Sequence, residues 1–284
     1  MAPALPNWVI EEVVSRALAE DVGAGDVTTL STVGAGASCE AEIIAKDDGV
    51  IAGLPVAEAV FIALDPYVTF TAAVADGSRV APGAVAAKLN GPTRAILTGE
   101  RTALNFLQRM SGIASLTARF VEAVRGTTAR ICDTRKTAPG LRALDKYAVR
   151  AGGGHNHRIG LFDGILIKDN HIRAAGGIRG AVERARESAH HLLAVEVEAQ
   201  SMDQVEEAIA AGADVIMLDN MGPDEARQAV ALIGGRCRTE VSGNVSLETV
   251  RAYAESGVHY ISVGALTHSA PALDISLQIT DTQD

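Results

Sequence analysis

Six short apolar runs lie in the second half of the chain, and each ends in polar residues or glycine. With their polar ends they cover residues 131–136, 165–170, 195–198, 215–220, 240–244 and 260–264. The spacing of the apolar residues between them predicts helices near residues 141–150, 178–190, 203–211, 223–233 and 246–256. This alternation is typical of parallel strands joined by right-handed helical crossovers.

Parallel strands of an α/β barrel have their carboxyl ends at one mouth, so the polar ends of the six runs would meet there. A complete barrel of eight units takes about 250 residues, and the alternating region is much shorter. We therefore expect an open, incomplete α/β barrel as the catalytic domain, over residues 111–269.

The first part of the chain predicts a separate α+β domain over residues 1–110. One helix is predicted over residues 7–21, with Asn7 as its cap. A second helix is predicted to begin at Pro55 and to end near Leu64.

The strands of this domain follow from alternating apolar and polar positions. Residues 39–53 are predicted to form a hairpin around Asp47-Asp48-Gly49. Two further strands are predicted at residues 67–74 and 85–89, which makes the sheet largely antiparallel.

One long helical pattern, residues 98–124, joins the two predicted domains. Gly112 lies inside it and predicts a break in the helix. The last residues, 270–284, can return to the first domain.

Composition narrows the class of protein. Hydrophobic residues make up 48% of the chain and charged residues 21%, as in folded globular proteins. The net charge of -10 disfavours a general nucleic-acid binder, which would carry a basic surface. Cys39, Cys132 and Cys237 form neither a disulfide framework nor a zinc pattern. Because the start lacks signal-peptide features and no apolar run spans a membrane, we expect a soluble cytoplasmic protein.

Residues 130–173 reverse the charge of the chain, with nine Lys or Arg against four Asp, and three His. This inversion predicts a site for a small anionic molecule. Arg135 and Lys136 follow the first strand, and a turn at Pro139-Gly140 would keep both cations at the mouth. Lys168 ends the second strand, where a functional role is favoured over a solvated surface lysine.

His157 and Arg158 follow Gly152-Gly153-Gly154, a flexible run that lets the backbone approach a ligand closely. His157 either donates to a ligand carboxylate or satisfies its own loop, and the sequence favours neither. His155 is a weaker candidate, and His171 is as consistent with a structural role.

Two carboxylates predict a metal site. Glu196 and Glu198 lie on one face of the third strand, because side chains alternate across a strand. A lone carboxylate buried in a parallel sheet is costly, which favours an inward-facing, functional Glu198. Asp219 ends the next strand, so Glu198 and Asp219 are expected to be neighbours. Such oxygen ligands suit Mg²⁺ bound together with substrate phosphates.

Glycine-containing turns follow the last two strands, at Ser242-Gly243-Asn244 and at Gly264-Ala265. Backbone N–H groups at such turns bind phosphate, and many barrels place their phosphate site in these two loops. No P-loop or strand-bound dinucleotide motif occurs, so those nucleotide-binding folds are not supported.

Short motifs recur along nearly the whole chain. They are Glu20-Asp21 with Gly25–Thr29, Glu100–Asn105, Asp133–Thr137 with Pro139–Arg142, Asn156-His157-Arg158, Lys168–His171, Glu196-Val197-Glu198, Leu218-Asp219-Asn220 and Val263–His268. In order and number they resemble the quinolinate phosphoribosyltransferase family. The resemblance implies an N-terminal sandwich-like domain, an open α/β barrel, and homodimers or larger assemblies with shared active sites. It also implies that quinolinate and phosphoribosyl pyrophosphate give nicotinate mononucleotide, pyrophosphate and CO₂ in de novo NAD biosynthesis.

The resemblance further implies residue roles. Arg101, contributed by the other subunit, would join the barrel cations around quinolinate, while Glu198 and Asp219 would serve the ribose and magnesium pyrophosphate. The implied catalytic residues are Lys136, Lys168, Glu198 and Asp219. The implied substrate-binding residues are Arg101, Thr134, Arg135, Lys136, His157, Arg158, Lys168, Glu198, Asp219, Ser242, Gly243, Asn244, Val263, Gly264 and Ala265. Asn244 departs from the pattern, because the family commonly has glycine there.

Other functions stay open. A related phosphoribosyltransferase could act on another carboxylated heterocycle, because the phosphate end does not select the base. A Schiff-base lyase could use Lys168 at its strand end, although nearby carboxylates argue against it. A non-catalytic phosphosugar-binding barrel would leave the acid pair without a role.

Overall fold

The computed structural model describes residues 4–283, so Met1–Pro3 and Asp284, at the ends of the predicted domain ranges, lie outside the described residues. Contacts between Cα atoms divide the chain into two compact units. Unit 1 combines Met1–Ala118, Thr137–Gly153 and Leu266–Asp284, and unit 2 combines Arg119–Lys136 and Gly154–Ala265.

Unit 1 contains a four-stranded antiparallel sheet with the strand order β12-β1-β5-β3. Its strands are β1 (Ser38–Ala45), β3 (Thr69–Ala72), β5 (Val85–Pro92) and β12 (Ile275–Gln283), and a separate pair comprises β2 (Gly49–Val50) and β4 (Arg79–Val80). Alternate residues of β1 are buried, Cys39, Ala41, Ile43 and Ala45. The period-two pattern therefore predicted β1, β3 and β5, whereas β12 was not predicted as a strand.

The predicted hairpin around Asp47-Asp48-Gly49 is wrong. Strand β1 pairs with β5 and β12, whereas β2 pairs with β4. Packing around Gly49 is tight, because a Cβ atom there would lie 2.6 Å from Leu273 Cδ1 and 2.7 Å from Ser115 Oγ. The glycine marks a close approach between distant parts of unit 1 instead of a tight turn.

The helices that lie wholly or mostly in unit 1 are α1 (Asn7–Asp21), α2 (Val27–Thr32), α3 (Leu54–Leu64), α4 (Thr93–Ala123), α5 (Arg142–Ala151) and α11 (Ala265–His268). The predictions of α1, α3 and α5 are confirmed. Asn7 is not the cap of α1, because the extended residue Pro6 holds that position. The Pro6 carbonyl accepts the N–H groups of Val9 at 3.0 Å and Ile10 at 3.3 Å.

The predicted break at Gly112 is also wrong, since α4 is continuous over 31 residues. A Cβ atom at Gly112 would lie 2.0 Å from the carbonyl oxygen of Pro271. Glycine is therefore needed because another backbone segment of unit 1 touches the helix at this point.

Unit 2 contains a six-stranded parallel sheet with the order β6-β11-β10-β9-β8-β7. Its strands are β6 (Arg130–Cys132), β7 (Ile165–Ile167), β8 (Val195–Ala199), β9 (Val215–Asp219), β10 (Arg238–Ser242) and β11 (Tyr260–Ser262). All six predicted strands are confirmed. Within residues 4–283, β6 and β7 form the two edges and do not pair with each other, as an open barrel requires.

The helices of this unit are α6 (Asp169–Ala175), α7 (Ile178–Ser188), α8 (Met202–Ala210), α9 (Pro223–Ile233) and α10 (Val250–Glu255). Four of the five follow the predictions, with α10 beginning later than expected. Helix α6 was not predicted. No helix in the described part of the chain has the length and apolar character needed to cross a membrane.

The register of the parallel strands separates two faces of the sheet. Glu198 pairs with Met217, and Met217 pairs with Glu240, so all three share one face. The same face carries Asp219 and Ser242, which pair two positions further along. Residues on the opposite face, Val197, Ile216, Val241 and Ile261, are fully buried and apolar. One face therefore forms an apolar core, and the other concentrates the polar side chains.

Candidate active site

Two arginines of unit 2 lie close enough to affect each other. Arg158 is half-buried and donates from Nη1 to the Gly164 carbonyl oxygen at 2.8 Å, whereas Arg135 is exposed. Burial lowers the pKa of the Arg158 guanidinium, and the Arg135 cation lowers it further. The carboxylates of Glu196 and Asp163 act in the opposite direction. Such a pair of cations is stabilised when an anion lies between them.

Lys136 and Thr134 lie on the same loop as Arg135. The Thr134 hydroxyl accepts the Lys136 backbone N–H at 3.0 Å, which fixes the turn after β6. The Lys136 side chain is exposed. The loop therefore presents two adjacent cations, as the sequence predicted for an anion site.

Lys168 and Glu198 form a short ion pair, with 2.5 Å between Nζ and Oε2. Glu198 is 8% exposed, so its charge is balanced inside unit 2 by a lysine that is itself half-exposed. The backbone N–H of Lys168 donates to His171 Nδ1 at 3.0 Å. His171 thereby caps α6, which supports the structural interpretation of this histidine.

Asp219 lies on the same face as Glu198 and on the adjacent strand, but two residues beyond Met217, which is the register partner of Glu198. Its Oδ2 accepts from Gln200 Nε2 at 3.2 Å and from Asn220 Nδ2 at 2.9 Å. Two amides therefore orient this carboxylate at the carboxyl end of β9.

The turn after β10 depends on left-handed backbone. Gly243 has φ of +98°, and a Cβ atom there would lie 2.3 Å from Asn220 Oδ1. Asn244 has φ of 52° and Asn220 has φ of 58°. Asparagine is among the few non-glycine residues that tolerate this region. The departure at Asn244 therefore keeps the backbone course that glycine would have.

The last strand leads into the second glycine turn. The N–H of Val263 donates to the Cys132 carbonyl oxygen at 2.9 Å, so the sheet already uses this donor. The Val263 side chain is buried, while Gly264 and Ala265 are half-buried. Gly264 and Ala265 are thus the more exposed of the three.

Three buried carboxylates, none of which was assigned a role from sequence, hold the segment that carries His157. Asp133 is fully buried and accepts from Asn156 Nδ2 at 2.5 Å and from the His157 N–H at 2.9 Å. His157 Nε2 lies 3.1 Å from Glu196 Oε2 and 3.6 Å from Glu240 Oε1. The acids form a support behind the predicted cation site.

The pKa of Glu240 is raised, first by burial and then by the neighbouring Glu196 carboxylate. The imidazole of His157 and a hydrogen bond from Ser262 act in the opposite direction. Strand parity was the signal that could have placed Glu196 and Glu240 on the polar face of the sheet. Glu196 has the parity of Glu198, and Glu240 has the parity of Ser242.

Family models match nearly all of the chain. One described as the N-terminal domain of quinolinate phosphoribosyl transferase matches residues 26–111, and one described as its C-terminal domain matches residues 113–278. The chain belongs to the quinolinate phosphoribosyltransferase family. The resemblance inferred from the short sequence motifs is confirmed.

Individual members of the quinolinate phosphoribosyltransferase family agree over full length. The chain is 49% identical to a probable nicotinate-nucleotide pyrophosphorylase (carboxylating) of Bacillus subtilis, over 95% of this chain and 93% of that protein. It is 46% identical to a decarboxylating quinolinate phosphoribosyltransferase of Nicotiana tabacum, over 99% of this chain and 85% of that protein. The crystal structure of NadC from Streptococcus pyogenes matches with a TM-score of 0.94 and 44% identity, over 98% of this chain and 100% of that chain.

Two other residues named by the sequence lie outside the clusters above. Arg101, which the quinolinate phosphoribosyltransferase resemblance assigns to a shared site, is an exposed residue of α4 in unit 1. His155 forms a parallel bridge with Cys132 at the edge of β6. His155 thus extends the sheet through its backbone, in keeping with its weaker candidacy.

Proposed function

We propose that this protein is a decarboxylating phosphoribosyltransferase, which converts quinolinate and phosphoribosyl pyrophosphate to nicotinate mononucleotide, pyrophosphate and CO₂. Family membership supports this proposal, together with the names of the full-length relatives. The observation that carries it is the pair of cations Arg135 and Arg158, together with the Lys168–Glu198 ion pair of the same unit. The arginines offer positive charge to a dicarboxylate, and Glu198 offers negative charge to the sugar cation that develops in the transition state.

Quinolinate has two carboxylates on a planar ring. A guanidinium can bind a carboxylate through two parallel hydrogen bonds, which fixes orientation as well as charge. Arg135 and Arg158 supply two guanidinium groups of this kind, and Lys136 adds a third cation on the loop of Arg135. Among the described residues, the hydrogen bond of the Arg158 guanidinium uses Nη1 only, which leaves Nε and Nη2 to face a ligand.

Phosphoribosyl transfer requires attack of the ring nitrogen on the anomeric carbon while pyrophosphate leaves. The sugar carries positive charge in the transition state, and a fixed carboxylate stabilises it. Glu198 and Asp219 are assigned this role, with the ribose hydroxyls as their contacts. Lys168 keeps Glu198 oriented and adds positive charge towards the leaving group.

Loss of CO₂ follows from the new bond. The quaternised ring accepts the electron pair that remains when the carboxylate beside the nitrogen leaves. The proton that replaces the carboxylate comes from solvent or from a nearby acid. Arginines that hold the second carboxylate would keep the ring in place through this step.

We assign Mg²⁺ as the cofactor. Glu198 already has an ammonium partner at 2.5 Å, whereas the hydrogen-bond donors to Asp219 within residues 4–283 are the neutral amides of Gln200 and Asn220. The residues therefore fit a cation held mainly by Asp219 and substrate oxygens, with Glu198 close to it, as is usual for Mg²⁺. When bound, the ion would neutralise the charge of departing pyrophosphate.

The 5′-phosphate is assigned to the two glycine turns. Ser242, Gly243 and Asn244 form the first, and Gly264 and Ala265 belong to the second. Left-handed backbone at Gly243 and Asn244 turns successive N–H groups to one side, which is how such turns bind anions.

We further propose a homodimer, or a larger assembly built from it, in which Arg101 enters the site of the other subunit. A shared site explains how an arginine assigned to quinolinate can lie on a helix of unit 1. We also propose a cytoplasmic location, since Cys39, Cys132 and Cys237 are free thiols, as is usual in a reducing compartment.

Release of labelled CO₂ from carboxyl-labelled quinolinate tests the function. Release should require both phosphoribosyl pyrophosphate and Mg²⁺, and one pyrophosphate should form for each CO₂. Parallel reactions with nicotinate and with other pyridine carboxylates test for a different heterocycle. Turnover of one of these, with none of quinolinate, would refute the proposed substrate.

The same preparation separates the lyase alternative. An amine must be free of its proton to attack a carbonyl, and Lys168 is engaged by Glu198 at 2.5 Å. Borohydride treatment with carbonyl substrates should therefore leave no adduct on Lys168. A stable adduct at this residue would favour the Schiff-base reaction.

A further inference from the structure

His157 has both of its ring nitrogens engaged by the protein. The backbone N–H of Arg158 donates to His157 Nδ1 at 2.8 Å, so Nδ1 acts as an acceptor and the ring proton lies on Nε2. Nε2 points to Glu196 Oε2 at 3.1 Å and to Glu240 Oε1 at 3.6 Å. A ring bound in this way holds the backbone N–H of its neighbour Arg158.

The segment of residues 156–158 is held from two sides. Asp133 binds the Asn156 side chain and the His157 N–H, while Glu196 and Glu240 face the ring of His157. Asp133 is 0% exposed and Glu240 is 3% exposed. Burying a carboxylate is unfavourable unless well-placed partners form hydrogen bonds or ion pairs with it. The arrangement therefore serves to hold one backbone position rigidly.

A proton on Glu240 would complete the cluster. Ligand atoms of His157, Glu196 and Glu240 lie within 4.8 Å of one another. Within residues 4–283, Oε1 of Glu196 and Oε1 of Glu240 are buried and accept no hydrogen bond. A neutral Glu240 can donate to Glu196, while Glu196 accepts from the imidazole. This chain of donors ends at Arg158.

We propose that Glu240 is a positioning residue for the substrate carboxylate, acting through Glu196 and His157 on the orientation of Arg158. This inference rests on the proposed function, and it gives His157 a supporting role towards Arg158. The guanidinium of Arg158 is held by the Gly164 carbonyl, and the backbone N–H of Arg158, at the base of the same side chain, is held by this chain of hydrogen bonds. Its remaining donors then face the ligand in one orientation.

Kinetics of Glu240→Leu and Glu240→Gln test the proposal. Leucine has about the volume of glutamate but cannot take part in the hydrogen bonds that lead to Arg158. The KM for quinolinate should therefore rise about tenfold, while the KM for phosphoribosyl pyrophosphate changes less than about twofold. Glutamine keeps a neutral donor and acceptor, so it should restore the quinolinate KM to within about threefold. Glu255→Gln, at an exposed position of α10, is the matched control and should change neither KM.

The Arg158→Ala background separates support from direct contact. If Glu240 acts through Arg158, Glu240→Leu should add little to the quinolinate KM of Arg158→Ala. The effects of substitutions within one hydrogen-bond network are not additive. His157→Phe supplies a second variant in case leucine prevents folding, and it should behave in the same way. Full additivity in both cases, or equal rises of both KM values, would overturn the proposal.

Two further measurements distinguish other causes of failure. If the wild-type enzyme releases no CO₂ from quinolinate, the proposed function fails, and quinolinate binding by calorimetry still tests the role of Glu240 in affinity. Zn²⁺ alone tests the cluster as a metal site. If Zn²⁺ raises the melting temperature and Glu240→Leu abolishes this rise, the positioning role is overturned. If Zn²⁺ does not raise the melting temperature, the positioning role is supported.

Discussion

Arg135 and Arg158 repel each other in the free protein, and a dianionic ligand relieves this repulsion. Truncation of either to alanine should weaken quinolinate binding by about 2–5 kcal/mol, the range for removing one partner of a buried charge pair. Titration calorimetry with quinolinate measures the loss directly. Arg227→Ala is the control, because Arg227 forms an exposed pair with Asp224 on α9. Near-normal affinity in both variants would remove these arginines from the site.

Glu240 should also make stability depend on pH. Its folded-state pKa is raised above the ordinary 4.5, so its contribution to stability is fully present below pH 4.5 and is lost as the pH rises through the folded pKa. The charged groups that face it are Glu196 on β8 and His157, with the Ser262 hydroxyl on β11. All three groups remain in Glu240→Gln, so the difference between the two proteins reports the charge of Glu240 together with its interaction with these groups.

Melting temperatures at fixed protein concentration, from pH 5 to pH 9, give this comparison. The wild-type protein should lose stability relative to Glu240→Gln as the pH rises, because only the glutamate must ionise inside the sheet. A constant difference across the range would show that Glu240 does not change its charge there.

Individual residues differ in how far the sequence could predict them. Glu198 was predicted as inward-facing from its position at a strand end, and it is buried. Glu240 has a comparable position on β10, but nothing in a single sequence shows that His157 lies beside it, because their contact spans 83 residues. The chain separation, not the residue type, hid this cluster.

Helix α4 provides a test at the level of secondary structure. Helix propensity alone predicts that Gly112→Ala stabilises the protein by about 1 kcal/mol. The added Cβ atom would lie 2.0 Å from a backbone oxygen of Pro271, which cannot rotate away. We therefore expect destabilisation by about 1–3 kcal/mol, as for an overpacked core. Thermal unfolding measures the sign of the change.

Gly99→Ala on the same helix is the matched variant. Its Cβ atom would meet side-chain atoms, Phe61 Cδ1 at 2.9 Å and Leu64 Cδ1 at 3.0 Å, which can shift. Its loss of stability should therefore be the smaller of the two. A stabilised Gly112→Ala protein would mean that the backbone of Pro271 moves away without cost.

Secondary structure was predicted best where the pattern is local. The strands of unit 2 follow continuous apolar runs, and α3 begins at Leu54 with Pro55 in its first turn, one residue before the predicted start. The hairpin after β1 failed because the partners of β1 are β5 and the distant β12. An alternating pattern predicts a strand but does not say which strand pairs with it.

At the level of the whole molecule, the proposed sharing of the site between two subunits makes a prediction that no single chain could satisfy. Arg101→Ala and Arg135→Ala should each be inactive as homodimers. In a mixed dimer, one site would combine an intact Arg135 with an intact Arg101 of the other subunit. Random mixing makes half of the dimers mixed, each with one working site, so about a quarter of wild-type activity should return.

The outcome depends on where Arg101 acts. If Arg101 served the site of its own chain, both sites of a mixed dimer would lack one arginine and no activity would return. Arg135→Ala mixed with Arg158→Ala is the control, because both residues belong to unit 2 of the same chain. That mixture should stay inactive under either arrangement. CO₂ release from co-refolded chains with different affinity tags would therefore show whether the mouth of the barrel is completed by a second subunit.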